Sequence, residues 1–127
     1  MASNLDSELA QADSLGVRPV SPGQAGFDET INSGTVKWAV TEDGTVRVVP
    51  KFVDGQEISH AAITRGAPVR AAGEADIAGG DGDYFGLNIS NHSGHYMPCN
   101  CNLDYAVGVF GDAGIPFGPG SVTYAAP

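Results

Sequence analysis

Val36, Trp38 and Val40 alternate with Lys37, Ala39 and Thr41; Glu42-Asp43-Gly44 then leads into Thr45-Val46-Arg47-Val48-Val49. Apolar residues at every second position turn one face of an extended strand toward a core. An Asp-Gly step between two such runs reverses the chain. A hairpin is therefore expected here, and it constrains the fold most, because an isolated two-stranded ribbon is marginal in water and needs further strands or helices against its apolar face. Pro50 has no amide hydrogen to donate and ends or edges the second strand.

The remaining segments supply those partners. Ser3 followed by Asp6 resembles a capping box, with Leu5, Leu9, Ala12 and Leu15 on one helical face and Gly16 as a stop. Pro19, Pro22, Gly23 and Gly26 make residues 17–34 an irregular connection. From Glu57 to Ile63 a third strand is expected, with Ile58, His60 and Ala62 on one face; its two alanines make a short helix the alternative. Arg65-Gly66-Ala67-Pro68 turns into a strand from Val69 to Ile77, with Val69, Ala71, Gly73, Ala75 and Ile77 opposite Arg70, Ala72, Glu74 and Asp76. After a Gly79-Gly80-Asp81-Gly82 connection, Tyr84 to Asn91 forms a strand with Phe85, Leu87 and Ile89 on its apolar side. Asn102 can cap a helix with a Leu103, Ala106, Val107, Phe110 stripe ending at Gly111 or Gly114, and Val122-Thr123-Tyr124 can add an edge strand. The sum is an α+β fold: a mostly antiparallel sheet of about five strands with one short helix near each end. Residues 1–34 form the helix and connection and residues 35–127 a β-rich core with its C-terminal helix, one domain overall.

A chain of 127 residues can bury roughly two-thirds of its unfolded surface around one modest core. Eighteen glycines and eight prolines favour turns and short strands over a helical bundle. No apolar run reaches the roughly 20 residues of a membrane span, and the first twelve residues lack the layout of a signal peptide. A soluble domain is expected. The net charge of −9 repels nucleic acid at long range. Its distribution is uneven: Lys37, Arg47, Lys51, Arg65 and Arg70 balance five acids between Thr35 and Ala75, whereas residues 76–127 carry five acids and no Lys or Arg. A small basic cleft on the central strands thus stays compatible with the total, with the acidic flanks pointing away.

The run from Asn91 to Cys101 concentrates chemistry: His92, Ser93, His95, Tyr96, Cys99 and Cys101 lie around a Ser-Gly break and a Met97-Pro98 exit. A Cys99–Cys101 disulfide would close a very small, strained ring, so free thiols or metal ligation are the readings for that pair. The order Glu57-Ile58-Ser59-His60-Ala61-Ala62, Gly66-Ala67-Pro68-Val69-Arg70-Ala71-Ala72-Gly73-Glu74 and Ser93-Gly94-His95-Tyr96-Met97-Pro98 resembles the C-terminal toxin tips of bacterial polymorphic toxins of the Rhs and contact-dependent-inhibition type. The resemblance covers residues 35–117. It implies an effector domain delivered from a larger carrier into a target cell and neutralised by a cognate immunity protein. Many such tips are nucleases, including metal-independent ribonucleases; others are deaminases or attack NAD. This chain departs from the pattern in its acidity and its Cys-x-Cys.

Several constellations fit such chemistry. His60 and His95 can act as acid and base on RNA, one imidazole taking the 2′-hydroxyl proton and the other protonating the leaving oxygen. Arg70, Lys37 or Lys51 would meet the developing charge, and Ser93 or Tyr96 would hydrogen-bond a phosphate. Equally open is a structural role, His60 satisfied beside Ile58 and His95 pinning a loop. Glu74 and Arg70 share one side of their expected strand, as an ion pair or as a polar active-site face. No metal or other cofactor is expected; the alternative ligand set is His92, His95, Cys99 and Cys101, with a spacing tighter than the common C-x₂-C. A zinc deaminase lacks its H-x-E element, and no P-loop, dinucleotide fingerprint or nucleophile elbow occurs. Trp38 and Phe85 read as core rather than as base-stacking platforms. A non-catalytic binding or structural module is the competing class.

Overall fold

The computed structural model describes residues 10–11, 13–58, 61–64, 69–90 and 100–123. Strands β1 (Val36–Thr41), β2 (Val46–Pro50), β5 (Val69–Gly80), β6 (Asp83–Ser90) and β7 (Val122–Thr123) form one sheet in the order β2-β1-β5-β6-β7. Between β2 and β5 lies a two-stranded hairpin, β3 (Phe52–Val53) with β4 (Gln56–Glu57). All pairings are antiparallel except β6 with β7. The helices are α1 (Phe27–Asn32), α2 (Ala61–Thr64) and α3 (Asn100–Asp112). The expected α+β class with a mainly antiparallel five-stranded sheet is what the chain forms. Residues 10–11 and 13–14 are helical and end before Gly16 (φ 74°); residues 1–9 of that expected helix lie outside the described residues. No helix among the described residues is long and apolar enough to cross a membrane.

Turn chemistry sets the hairpins. Asp54-Gly55 (φ 51° and 77°) and Asp81-Gly82 (φ 55° and 88°) are two-residue turns in which both positions are left-handed, the geometry that matches strand twist. Gly79 and Gly80, expected in the connection, instead extend β5.

One face of the sheet carries the larger core. Val36, Trp38, Val40, Val48, Ala75 and Ile89 meet Phe27 and Ile31 from α1 and Leu103, Ala106 and Phe110 from α3. The Trp38 and Phe110 rings meet edge to face at 5.6 Å. On the opposite face Ala39, Val49 and Ala72 pack under Val17, Ile58, Ala62 and Ile63. Strand β1 is thereby buried on both sides.

Further expectations need correction. The C-terminal helix begins at Asn100, so Asn102 lies within its first turn and not at its cap. The connection over residues 17–34 contains α1, whose Phe27 and Ile31, one turn apart, reach the core; its six residues are too few for a sequence period to show. The strand over Glu57–Ile63 stops at Glu57, and Ala61–Thr64 is helical, the alternative its alanines favoured. Phe85 is not core. Asp76 pairs with Asn88 but Ile77 pairs with Gly86, so Leu87 is an extra residue in β6. Such a bulge inverts the faces beyond it, leaving Ile89 buried while Phe85 and Leu87 are 54% and 53% exposed. Gly86 then faces Phe117, and a Cβ there would lie 2.0 Å from the ring. Gly86→Ala is expected to displace Phe117 and to cost about 1–3 kcal/mol, as overpacked sites do; an unchanged urea midpoint would contradict this contact.

Asp28 ties α1 to the β5–β6 turn by accepting hydrogen bonds from the Tyr84 hydroxyl and, at 3.0 Å, from the Asp81 amide. The Tyr84 bond first and the Asp81 bond second hold its carboxyl below the usual aspartate range. A depressed folded pKa means that this stabilisation is present above the ordinary aspartate pKa and is lost as pH falls through the lowered value. The protection factor of the Asp81 amide, its exchange measured against the intrinsic rate at the same pH, should therefore fall in acid, and Asp28→Ala should lower it already at neutral pH.

Candidate functional site

A polar strip lies on the sheet face opposite α1 and α3. Lys37 of β1 stands directly across from Glu74 of β5, and Glu74 in turn from Ser90 of β6. Because β1 is covered on both faces, Lys37 is only 6% exposed, and a buried ammonium needs a counter-charge. Glu57 of β4 supplies it, with Oε2 2.8 Å from Nζ. Lys51, just beyond β2, reaches Glu74 Oε1 at 3.0 Å and lies 5.6 Å from the centre of the Phe52 ring. One turn of the ladder further along, Thr35 donates to Asp76 Oδ1 at 2.6 Å. Trp38 Nε1 donates to the Glu74 carbonyl at 3.1 Å, so the large core fixes the backbone that carries the strip's central carboxylate.

Lys37, Lys51 and Glu74, expected from the sequence as substrate-binding and catalytic residues, are thus brought together. Arg70 is not with them. Val40 pairs with Ala71 but Thr41 with Val69, so Arg70 is the unpaired residue of a second bulge. Its Nε donates to the Glu42 carbonyl at 2.9 Å and its guanidinium lies 5.5 Å from the Tyr105 ring on α3. The expected Arg70–Glu74 pair is replaced by Lys51–Glu74, since the bulge turns Arg70 toward the helix-covered face. The expectation of local positive charge is corrected as well: both lysines of the strip carry carboxylate partners.

Sequence reasoning missed Glu57, Thr35 and Asp76 as members of this strip. The usable signal was Lys37, an ionisable residue in the most strongly strand-forming run of the chain, where burial on both faces demands an acid from elsewhere.

His60, His92, Ser93, His95, Tyr96 and Cys99 lie outside the described residues, and Cys101 belongs to the first turn of α3. Their chain neighbours are described. Ile58, fully buried, donates its amide to the Lys51 carbonyl at 2.8 Å, and Ser59-His60 follows it directly. Ser90 ends β6 beside Glu74, and Asn91 to Tyr96 follows it directly. Both histidine-bearing segments therefore leave from residues attached to the strip. Comparison with protein-family models, curated proteins and solved structures finds no match to this chain.

Proposed function

We propose that this domain is a delivered bacterial effector of the toxin type, a metal-independent ribonuclease working by histidine acid–base chemistry. The observation that supports this reading is the convergence of Lys37, Lys51 and Glu74 on the strand ends from which the His60 and His95 segments depart. In the reaction, a base removes the 2′-hydroxyl proton, O2′ attacks phosphorus, and the bond to O5′ breaks as an acid protonates it, leaving a 2′,3′-cyclic phosphate. His95 and His60 are the proton-transfer groups. Glu74 is a second base candidate on a rigid strand, and Lys51, already oriented by Glu74, faces the charge that develops on phosphorus. Ser93 and Tyr96 would hydrogen-bond the phosphate. Activity against a target cell then requires a cognate immunity protein in the producer.

The pairing of both lysines with carboxylates favours the competing reading, a binding or structural module, and the two readings separate on one experiment. Purified protein with single-stranded RNA and excess chelator should yield fragments ending in 2′,3′-cyclic phosphate. Glu74→Gln, which removes the Lys51 partner, should slow cleavage less than His95→Ala does, unless Glu74 rather than a histidine is the base. RNA left intact by folded protein from mildly acidic to mildly basic pH would refute the ribonuclease reading. Cleavage of NAD or deamination of a nucleobase in parallel assays would move the domain to another toxin chemistry.

A further inference from the structure

Arg18 and Arg47 stand apart from the other described cations. Lys37 and Lys51 are ion-paired, and Arg70 is held by a carbonyl and an aromatic ring. Among the described residues, no carboxylate lies within ion-pair distance of Arg18 or Arg47, although the chain carries a net charge of −9. Asp43, whose pKa is held low chiefly by hydrogen bonds from Thr41 and Thr45, also feels the Arg47 charge. Both line a single cleft of about 520 Å³, within the roughly 300–1,000 Å³ typical of small-ligand sites.

The fold builds this cleft from three directions. Val20 and Val48 exchange backbone hydrogen bonds of 3.0 and 2.8 Å, which lays the segment before Val20 along the outer edge of β2. Arg47 projects from β2 on the same face as Val49, across from Ala39. From α2 come Ala62 and Ile63, which with Val17 form a buried apolar floor. Arg18 Nη1 donates to the Val17 carbonyl at 3.1 Å, which orients the guanidinium and leaves its other N–H groups to be satisfied from the cleft or solvent. Asp13, also on the lining, is itself partnered.

We infer that this cleft is a nucleotide phosphate site: Arg18 and Arg47 grip the phosphate oxygens, and the Val17, Ala62 and Ile63 floor takes the flat base or the sugar. Two planar guanidinium forks match phosphate geometry and keep their charge at every relevant pH. The phosphate comes either from a free mononucleotide or from a residue of an RNA strand. Arg47 and Lys51 are four residues apart along one strand edge, about 13 Å at strand rise, a separation that one strand of RNA spans in two or three nucleotides.

The test uses the full chain and amide spectra in the presence of 5′-AMP, adenosine or a 2′-O-methyl tetraribonucleotide that resists cleavage. 5′-AMP is expected to shift the amides around Arg18, Arg47 and Ile63 and to saturate, and adenosine is not. Arg18→Gln with Arg47→Gln should weaken 5′-AMP binding roughly tenfold or more, the scale of lost charge-assisted hydrogen bonds. Both side chains are exposed, so the variant should keep the parent's spectrum elsewhere, and Arg47→Lys should recover part of the affinity. The tetraribonucleotide competing with 5′-AMP identifies an RNA subsite; its failure to compete identifies a site for free nucleotide. Adenosine binding as well as 5′-AMP, 5′-AMP binding unchanged in the double variant, or no shift at millimolar 5′-AMP would each overturn the inference. Loss of the ribonuclease reading with 5′-AMP binding intact leaves it standing, because the two rest on different residues.

Discussion

Trp38→Ala is expected to remove a large share of this domain's stability. The indole is fully buried at the centre of β1, packs edge to face on Phe110, and donates to the Glu74 carbonyl. Truncating a buried Trp costs about 3–5 kcal/mol, against roughly 5–15 kcal/mol for a whole domain. Urea denaturation followed by circular dichroism should show the midpoint fall by a large fraction, with the slope unchanged if unfolding stays two-state. Trp38→Phe keeps a ring against Phe110 and loses the hydrogen bond together with the extra volume of the indole. Its cost should be much smaller. A Trp38→Ala midpoint near that of the parent would show that α3 is not held by this contact.

His95→Ala carries the largest expected effect on activity. General acid–base catalysis by a positioned side chain is worth about 10²–10⁴ in rate, so cleavage of RNA should fall by that factor while the melting temperature stays close to the parent's. His60→Ala should behave similarly if the imidazoles divide acid and base between them. The double substitution should then cost less than the product of the two single losses, because residues that act as a unit are not additive. The pH–rate profile should be bell-shaped, because one imidazole must be unprotonated and the other protonated for the two proton transfers. A folded His95→Ala protein with full activity would remove His95 from the mechanism.

Much of the sheet was legible because its strands obey a two-residue period. Val36, Trp38 and Val40 opposite Val46 and Val48 share one face in the register that the alternation and the Asp43-Gly44 step require. The stripe Leu103, Ala106 and Phe110 likewise foretold which side of α3 meets the core. What the period could not carry was the two extra residues, Arg70 and Leu87. Alternation assumes an unbroken ladder, and one inserted residue exchanges the faces beyond it. Thus Phe85 went outward, and Arg70 went to Tyr105 instead of Glu74.

The candidate site divides along the same line. Local sequence concentrates Ser93, His95 and Tyr96 within a few residues, and its Asp43-Gly44, Asp54-Gly55 and Asp81-Gly82 steps set three turns. Tertiary structure decided the partners. Lys37 is buried only because α2 and the second small core cover the face of β1 that alternation alone leaves to solvent. Glu57, 20 residues from Lys37, and Glu74, 23 residues from Lys51, then supply the charges that the two lysines of the strip need. Burial on both faces, and with it the demand for a counter-ion, comes from packing between distant segments. Such a demand has no period along the chain and becomes visible only when the segments meet.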